Sequence, residues 1–284
     1  GSIELNQQKY IEDMVHKFAG GDIQSFVQRD TPALEKTFDK LGPAENDSER
    51  ALVADRQYMQ IVGSLLYVTT MSRPDCAYHL SVLCQHMSDP SKACCDAALD
   101  VLLYLYKTRE LRIRYKPNVE VPDCLHRHRA SITQNMGFHA FSDASWNVPR
   151  PSYGFCVFLA NGPISFASKR LKSADSSCEA EYSAASKAAR DIAFIRSVCA
   201  DLGFTLSGRL VVGVDNTAAI DVARNLGVTA RNKHFDREIH YIREQCELQR
   251  IVMEYVNTHV QTADIFTKCL DKTKFLHHRS RLLH

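Results

Sequence analysis

Residues 137–170 read GFHAFSDASWNVPRPSYGFCVFLANGPISFASKR. Three short runs rich in aromatic and apolar residues, at 137–144, 153–160 and 163–170, are parted by Pro, Asn and Gly. That pattern predicts three strands in quick succession. The period then changes. SSCEAEYSAASKAARDIAFIRSVCADLG (176–203) reads as a long helix, RLVVGVD (209–215) as a strand, and DNTAAIDVARNLG (215–227) as a helix. NKHFDREIHYIREQCELQ (232–249) is a further helix, RIVMEYVNTH (250–259) a fifth strand, and TADIFTKCL (262–270) opens a last helix. The order βββαβααβα predicts an α/β domain over 137–284.

Toward the N-terminus, residues 3–116 read as mainly helical. Leu5, Tyr10, Ile11, Met14, Val15 and Phe18 recur at helical spacing until Gly20-Gly21 stops them. A polar stretch, 28–52, reads as a loop, and three helices follow near 54–71, 74–88 and 91–108, with Ser91 placed to cap the last. ELRIRY (110–115) is a short strand. Residues 117–136, with two prolines and two histidines, read as a linker or insertion. Gly1-Ser2 reads as a cloning scar.

Composition excludes several classes. A chain of 284 residues, 45% apolar and 24% charged, is ordinary for a folded protein of one large or two modest domains. No apolar run reaches the ~18 residues of a membrane span, and no signal peptide follows Gly1-Ser2, so an intracellular, cytoplasmic place is expected. Net charge is +2, which allows nucleic-acid binding only through a local patch. Residues 1–136 carry 16 basic and 18 acidic side chains, and residues 137–284 carry 19 and 15. The ten cysteines form no C-x-x-C pair, which disfavours structural zinc and suits reduced thiols.

Four acids in the second half are placed for chemistry. Asp143 lies near the end of the first strand of the α/β region, and Asp215 ends the fourth. Ligand sites in open α/β sheets form beyond the carboxyl ends of strands. If those strands are parallel neighbours, two carboxylates meet there, which is costly unless a cation joins them. Hard oxygen donors select Mg²⁺ or Mn²⁺. On the long helix, Glu179 and Glu181 stand ~200° apart, so both cannot face one site. Positions 181, 185, 188, 192, 195, 199 and 202 form an apolar stripe headed by Glu181, whereas 179, 183, 186 and 190 read as a solvent face. Glu181 is therefore the better ligand. Asp264 completes a set of four, and His259 is placed to pass protons. Each alone has a bland reading, as turn former, helix cap or dipole partner.

The order Asp, Glu, Asp, Asp on strand, helix, strand and helix resembles ribonuclease H of the type 1 fold. The closer likeness is to the C-terminal part of copia-type LTR retrotransposon Pol polyproteins. It is carried by FSDASW (141–146), GPISFASKR (162–170), SSCEAEYSAASKAA (176–189), VDNTAAI (214–220), RNKHFDREIHYIRE (231–244) and VNTHVQTADIFTK (256–268). In the first half, ELNQQKYIEDMVHKF (4–18) and the stretch from RQYMQIVGSLLY (56–67) to YLYKT (104–108) are similar to the family's thumb and connection segment. The resemblance implies a five-stranded mixed sheet flanked by helices, preceded by a smaller helical domain. It implies endonucleolytic hydrolysis of the RNA strand of an RNA/DNA hybrid with two Mg²⁺ or Mn²⁺ ions. Asp143, Glu181, Asp215 and Asp264 would be the metal ligands, with His259 as catalytic assistant.

For substrate, Asn216 is placed to meet a ribose 2′-hydroxyl, with capping of the next helix as its bland alternative. Lys169, Arg170 and Lys172, and Arg231, Lys233 and Arg237, could grip phosphates or simply be a solvated basic face. His234, Asp236 and His240 read as a structural network, and Trp146, placed to brace the site or stack on a base, reads first as core packing. The turn NVPRPSYGF (147–155) is shorter than usual in the family, and no basic protrusion is identifiable. The chain has no adjacent Asp pair and hence no polymerase Y-x-D-D motif. Fingers and palm of the same polyprotein are therefore an expected partner, and no DNA synthesis is expected here. The location would be a cytoplasmic virus-like particle or the nucleus. A silent hybrid-binding module is the competing reading.

Overall fold

The computed structural model describes residues 1–20, 29–33, 35–146, 151–171, 176–224 and 236–284. In chain order the first elements are β1 (Ile3–Leu5), α1 (Gln8–Phe18), α2 (Glu35–Phe38), α3 (Asp47–Asp55), α4 (Tyr58–Met71), α5 (Ala77–Leu83), α6 (Lys92–Lys107), β2 (Ile113–Tyr115) and α7 (Arg129–Gln134). There follow β3 (His139–Ser145), β4 (Ser152–Leu159), β5 (Gly162–Arg170), α8 (Ser177–Asp201), β6 (Leu210–Val214), α9 (Thr217–Arg224), α10 (Asp236–Glu247), β7 (Ile251–Tyr255) and α11 (Lys272–Leu282). Among the described residues no helix is long and apolar enough to cross a membrane.

The chain divides into two compact units, Gly1–Ile3 with Arg114–Lys268 and Glu4–Ile113 with Cys269–His284. This division differs from the expected boundaries at two places. Residues 117–136 belong to the first unit and hold a 3-10 turn, Asp123–His128, and α7. Residues 269–284 belong to the helical unit. There the Phe275 ring meets Tyr104 at 5.8 Å and His79 at 6.2 Å, both edge-on. Arg279 donates to the Tyr104 hydroxyl at 3.2 Å. Burial of Phe275 and Leu282 decides the allegiance of α11, and sequence continuity does not.

Within the helical unit, Leu65, Val68, Leu80, Leu83, Val101 and Leu102 are fully buried. The polar stretch 28–52 is not all loop. Asn46 caps α3 by accepting from the Glu49 N–H at 2.9 Å. Ser91 occupies the N-cap position of α6 without making the cap bond. Instead Glu49 Oε1 accepts from the Lys92 N–H at 2.7 Å.

The sheet-bearing unit is the expected architecture, a five-stranded mixed sheet flanked by helices. Its strand order is β5-β4-β3-β6-β7. β3, β4 and β5 are antiparallel neighbours, and β6 and β7 run parallel to β3. Turn and helix chemistry explain both halves. The two-residue link between β4 and β5, Ala160-Asn161, takes positive φ at both positions, as a tight hairpin requires. The parallel strands need helical crossovers, supplied by α8 and then by α9 and α10. One apolar cluster joins Phe138, Ala140, Phe155 and Val157 to Ala185, Ala188 and Ile192 of α8 and to Val212, Val214 and Met253. None of the ten cysteines is in a disulfide, and Cys76, Cys94, Cys95 and Cys156 are buried.

Candidate metal centre

Strand register brings the first two carboxylates together. β3 pairs with β6 from His139↔Val211 to Phe141↔Gly213. Continued two residues, that register brings Asp143 level with Asp215, which directly follows β6. α8 packs on the opposite face, that of Phe138 and Ala140, and its first turns reach the same end of the sheet, where Glu181 meets the Ala144 backbone N–H. The N-terminus of α8 is capped by Ser176 Oγ, which accepts from the Glu179 N–H at 3.2 Å. Glu181, one turn inside, is 6% exposed, whereas Glu179 is half-buried. The stripe holds through Ala185, Ala188 and Ile192 and then surfaces, with Leu202 67% exposed. The expected solvent face does not hold in the middle, because Ser183 and Ser186 are buried. α10 covers that side, tied on by Arg190 over the Tyr241 ring at 4.2 Å and by Lys187–Glu238 at 3.3 Å.

Asp264 arrives differently from the expectation. Residues 262–266 form a 3-10 turn and not the opening of a long helix. Gln261 is fully buried and holds this turn to the sheet. Its amide donates to Ser142 O at 3.1 Å and Gly213 O at 3.3 Å, bridging β3 and β6, while its carbonyl accepts from the Ala263 N–H at 3.3 Å. Phe266 lies against Gly154, the residue paired with Asp143 across β3 and β4. A Cβ at Gly154 would stand 2.4 Å from Phe266 Cβ, so only glycine permits this approach. The turn ends at Thr267, whose hydroxyl reaches the Asp264 carbonyl at 3.2 Å and also donates to Asp143 Oδ2. Ser152 Oγ donates to Thr267 O.

The result is a group in which Asp143, Asp215 and Asp264 each offer an oxygen within 4.8 Å of the others. Thr258 Oγ1 donates to Asp215 Oδ2 at 2.9 Å. Lys268 Nζ lies 2.9 Å from Asp264 Oδ1. Glu181 shares the site's electrostatics and its buried Oε2 has no hydrogen-bond partner. Burial, then the charges of Asp264 and Asp215, push the Asp143 carboxyl up to about 7, against the pull of Lys268 and Thr267. Burial, then Asp143 and Asp215, push Glu181 up to about 10, opposed by the Ala144 backbone N–H and Lys268. Burial also raises Asp264, again opposed by Lys268. Like-charged carboxylates held together out of water, one with an unpartnered oxygen, fit a hard divalent cation.

The remaining expected site residues fall as follows. His259 is exposed on the 3-10 turn Thr258–Val260, beside the threonine that binds Asp215. Asn216 caps α9, accepting from the Ala219 N–H at 3.0 Å. Lys169 and Arg170 are exposed at the end of edge strand β5, one and two residues past Ser168, which is level with Gly154 and Asp143. Lys172, Arg231, Lys233 and His234 lie outside the described residues, as do the side chains of Asp236 and Arg237. His240 is exposed. Trp146 is 46% exposed at the first position past the strand end at Ser145, so its ring is not core packing. Gly154, Gln261, Thr267 and Lys268 carry no mark in the strand and helix periods. The last three sit in the VNTHVQTADIFTK motif, and their spacing to Asp264 is the signal that could have found them.

No family model matches the chain. It is 32% identical over 231 residues to the retrovirus-related Pol polyprotein from transposon RE1 of Arabidopsis thaliana, covering 80% of this chain and 15% of that protein. Against the Pol polyprotein from transposon TNT 1-94 of Nicotiana tabacum it is 28% identical over 274 residues, 95% of this chain and 19% of that protein. The chain thus spans less than a fifth of these relatives. Among solved structures, RNase H1 from Halobacterium salinarum matches 45% of this chain and 92% of its own at 16% identity, with a TM-score of 0.34. Similarity to Pol polyproteins along most of its length places the chain in the family of copia-type retrotransposon Pol polyproteins.

Proposed function

We propose that the sheet-bearing unit is a metal-dependent endoribonuclease that hydrolyses the RNA strand of an RNA/DNA hybrid. The observation that carries this reading is the convergence of Asp143, Asp215 and Asp264 within 4.8 Å, beside the unpartnered Oε2 of buried Glu181. These four side chains would hold two Mg²⁺ or Mn²⁺ ions. Bound there, such ions supply a water of lowered pKa and stabilise charge on the leaving 3′ oxygen. The chain's own residues do the rest. Thr267 and Thr258 orient the Asp143 and Asp215 carboxylates by their hydroxyls. Gln261 fixes the turn that carries Asp264. His259, exposed beside this group, exchanges protons with solvent as product leaves.

Substrate contact falls to side chains at the same end of the sheet. Asn216 spends its carbonyl on the cap and offers its amide to a 2′-hydroxyl, the group that marks RNA. Lys169 and Arg170 grip phosphates from the edge strand. Lys172, Arg231 and Lys233, outside the described residues, are assigned phosphate contact from the sequence alone. The helical unit supports the nucleic acid. Its α4 turns Met59, Leu66, Tyr67 and Met71 outward, an apolar face suited to sugars and base edges. The polymerase fingers and palm of the polyprotein are the protein partner, within a cytoplasmic particle or the nucleus.

The test is cleavage of a labelled hybrid with Mg²⁺ and then Mn²⁺. Duplex DNA, duplex RNA and Asp143→Asn are the controls. Cutting of the RNA strand alone, lost in Asp143→Asn, is expected. Tight binding without cutting would replace this reading with a silent hybrid-binding module.

A further inference from the structure

Lys268 brings a positive charge into the carboxylate cluster. Its Nζ lies 2.9 Å from Asp264 Oδ1, and Asp264 is 4% exposed while Lys268 is 34% exposed. A pair with one partner so buried differs from a surface ion pair, whose worth is screened away. The backbone fixes the approach: the Lys268 N–H donates to Asp264 O at 3.3 Å, and adjacent Thr267 is bonded to both Asp143 and Asp264. The ammonium's field also reaches Asp143, Asp215 and Glu181. Any cation taking an oxygen of Asp264 must stand beside this charge, and two positive charges at one carboxylate oppose each other.

We propose that Lys268 is a resident counter-cation, which competes with divalent metal for Asp264 and so sets the concentration at which the site fills. This rests on reading the four carboxylates as a metal site. The alternative, that Lys268 merely props Asp264 in place, predicts the opposite sign on removal. If the ammonium competes, its loss tightens metal binding; if it props, its loss weakens metal binding.

The experiment is calorimetric titration of the whole, chelator-stripped chain with Mn²⁺ alone, with no nucleic acid present. Lys268→Met keeps length and removes charge. It should bind Mn²⁺ roughly tenfold more tightly, the low end of what one neighbouring charge does to a carboxylate equilibrium. It should also melt at a lower temperature in chelator. Lys268→Arg should restore wild-type affinity. If Lys268→Met does not fold, Lys268→Gln serves, and in the wild type the Lys268 Cε resonance should shift as Mg²⁺ is added. Affinity that is unchanged or weaker in the neutral variants, or a Cε resonance indifferent to Mg²⁺, overturns the proposal. Wild-type Mn²⁺ binding that is absent, or unaffected by Asp143→Asn, defeats the metal-site reading itself, so the two failures are distinguishable.

Discussion

Gly154→Ala tests how the third aspartate is held. The new Cβ would meet Phe266 Cβ at 2.4 Å and the Phe266 carbonyl carbon and oxygen at 3.1 Å. Ordinary carbon contact begins at ~3.5 Å, so Phe266 must retreat by about 1 Å. It has little room to do so, being fully buried and stacked on Phe166 with centroids 6.0 Å apart. The close atoms include backbone, so rotation of the ring cannot relieve the clash. The turn Thr262–Phe266 must move as a body and carry Asp264 with it. Overpacking of this kind costs about 1–3 kcal/mol, or roughly 2–12 °C in melting temperature for a unit of this size. A displacement of about 1 Å at a reacting site costs on the order of 100-fold in rate. Calorimetric Mn²⁺ titration, thermal melting and hybrid cleavage read the three effects together. A folded Gly154→Ala protein with wild-type Mn²⁺ affinity and cleavage within about twofold of wild type would mean that this contact does not position Asp264.

Glu181→Gln should abolish cleavage and weaken Mn²⁺ binding, while Glu179→Gln should leave cleavage within a few-fold; the reverse ranking in one cleavage assay would mean α8 offers its other face. Without metal, stability should fall as pH rises. Asp143 and Glu181 are held up to about 7 and about 10 when folded and ionise at about 4 when unfolded, so the folded state binds the extra protons. Their favourable contribution is complete below pH ~4 and is lost progressively through pH ~7 and toward ~10. Urea midpoints in chelator at about pH 5.5 and 8.5 should show the drop, with the slope shallower in Asp143→Asn and with added Mg²⁺; parallel slopes would contradict the shifts. Gly63→Ala, inside α4 with nothing within 4 Å of a new Cβ, should raise stability of the helical unit by roughly 0.5–1 kcal/mol in urea unfolding, and a loss would mean that face is occupied.

The alternation of strand and helix periods and the strand-end position of Asp143 and Asp215 were legible because both are local. Glu181 was legible because a helical stripe is periodic, although burial on both sides of α8 erased the contrast at Ser183 and Ser186. What stayed hidden depends on contacts between distant positions. Gly154 looks like any strand glycine until Phe266, far along the chain, lies against it. Gln261 looks like an exposed loop residue until the gap between β3 and β6 receives its amide. The TADIFTK segment carries helix-forming residues, yet side-chain bonds from Thr267 and Gln261 end it as a 3-10 turn. Adjacency alone puts α11 with the sheet, and only the packing of Phe275 shows where it belongs.

The position of that turn in the chain explains why it needs so many fastenings. Asp264 lies only four residues before Lys268, where the sheet-bearing unit ends, and residues 269–284 belong to the helical unit. A carboxylate so near an exit would follow any motion of the chain beyond it unless the segment were anchored separately. Four anchors do this: Gln261 on two strands, Phe266 against Gly154, Ser152 on Thr267 O, and Thr267 on Asp143. All of them draw on the rigid β3–β4–β6 centre of the sheet. The cluster of like charges opposes this order, since repulsion among Asp143, Asp215 and Asp264 would push the turn away. Clamping by packing and neutral hydrogen bonds resists that push without neutralising the carboxylates. The carboxylates are therefore held together without ionic fastenings at the anchors, and a cation that binds them has only the protons held on Asp143 and Glu181 and the ammonium of Lys268 to displace.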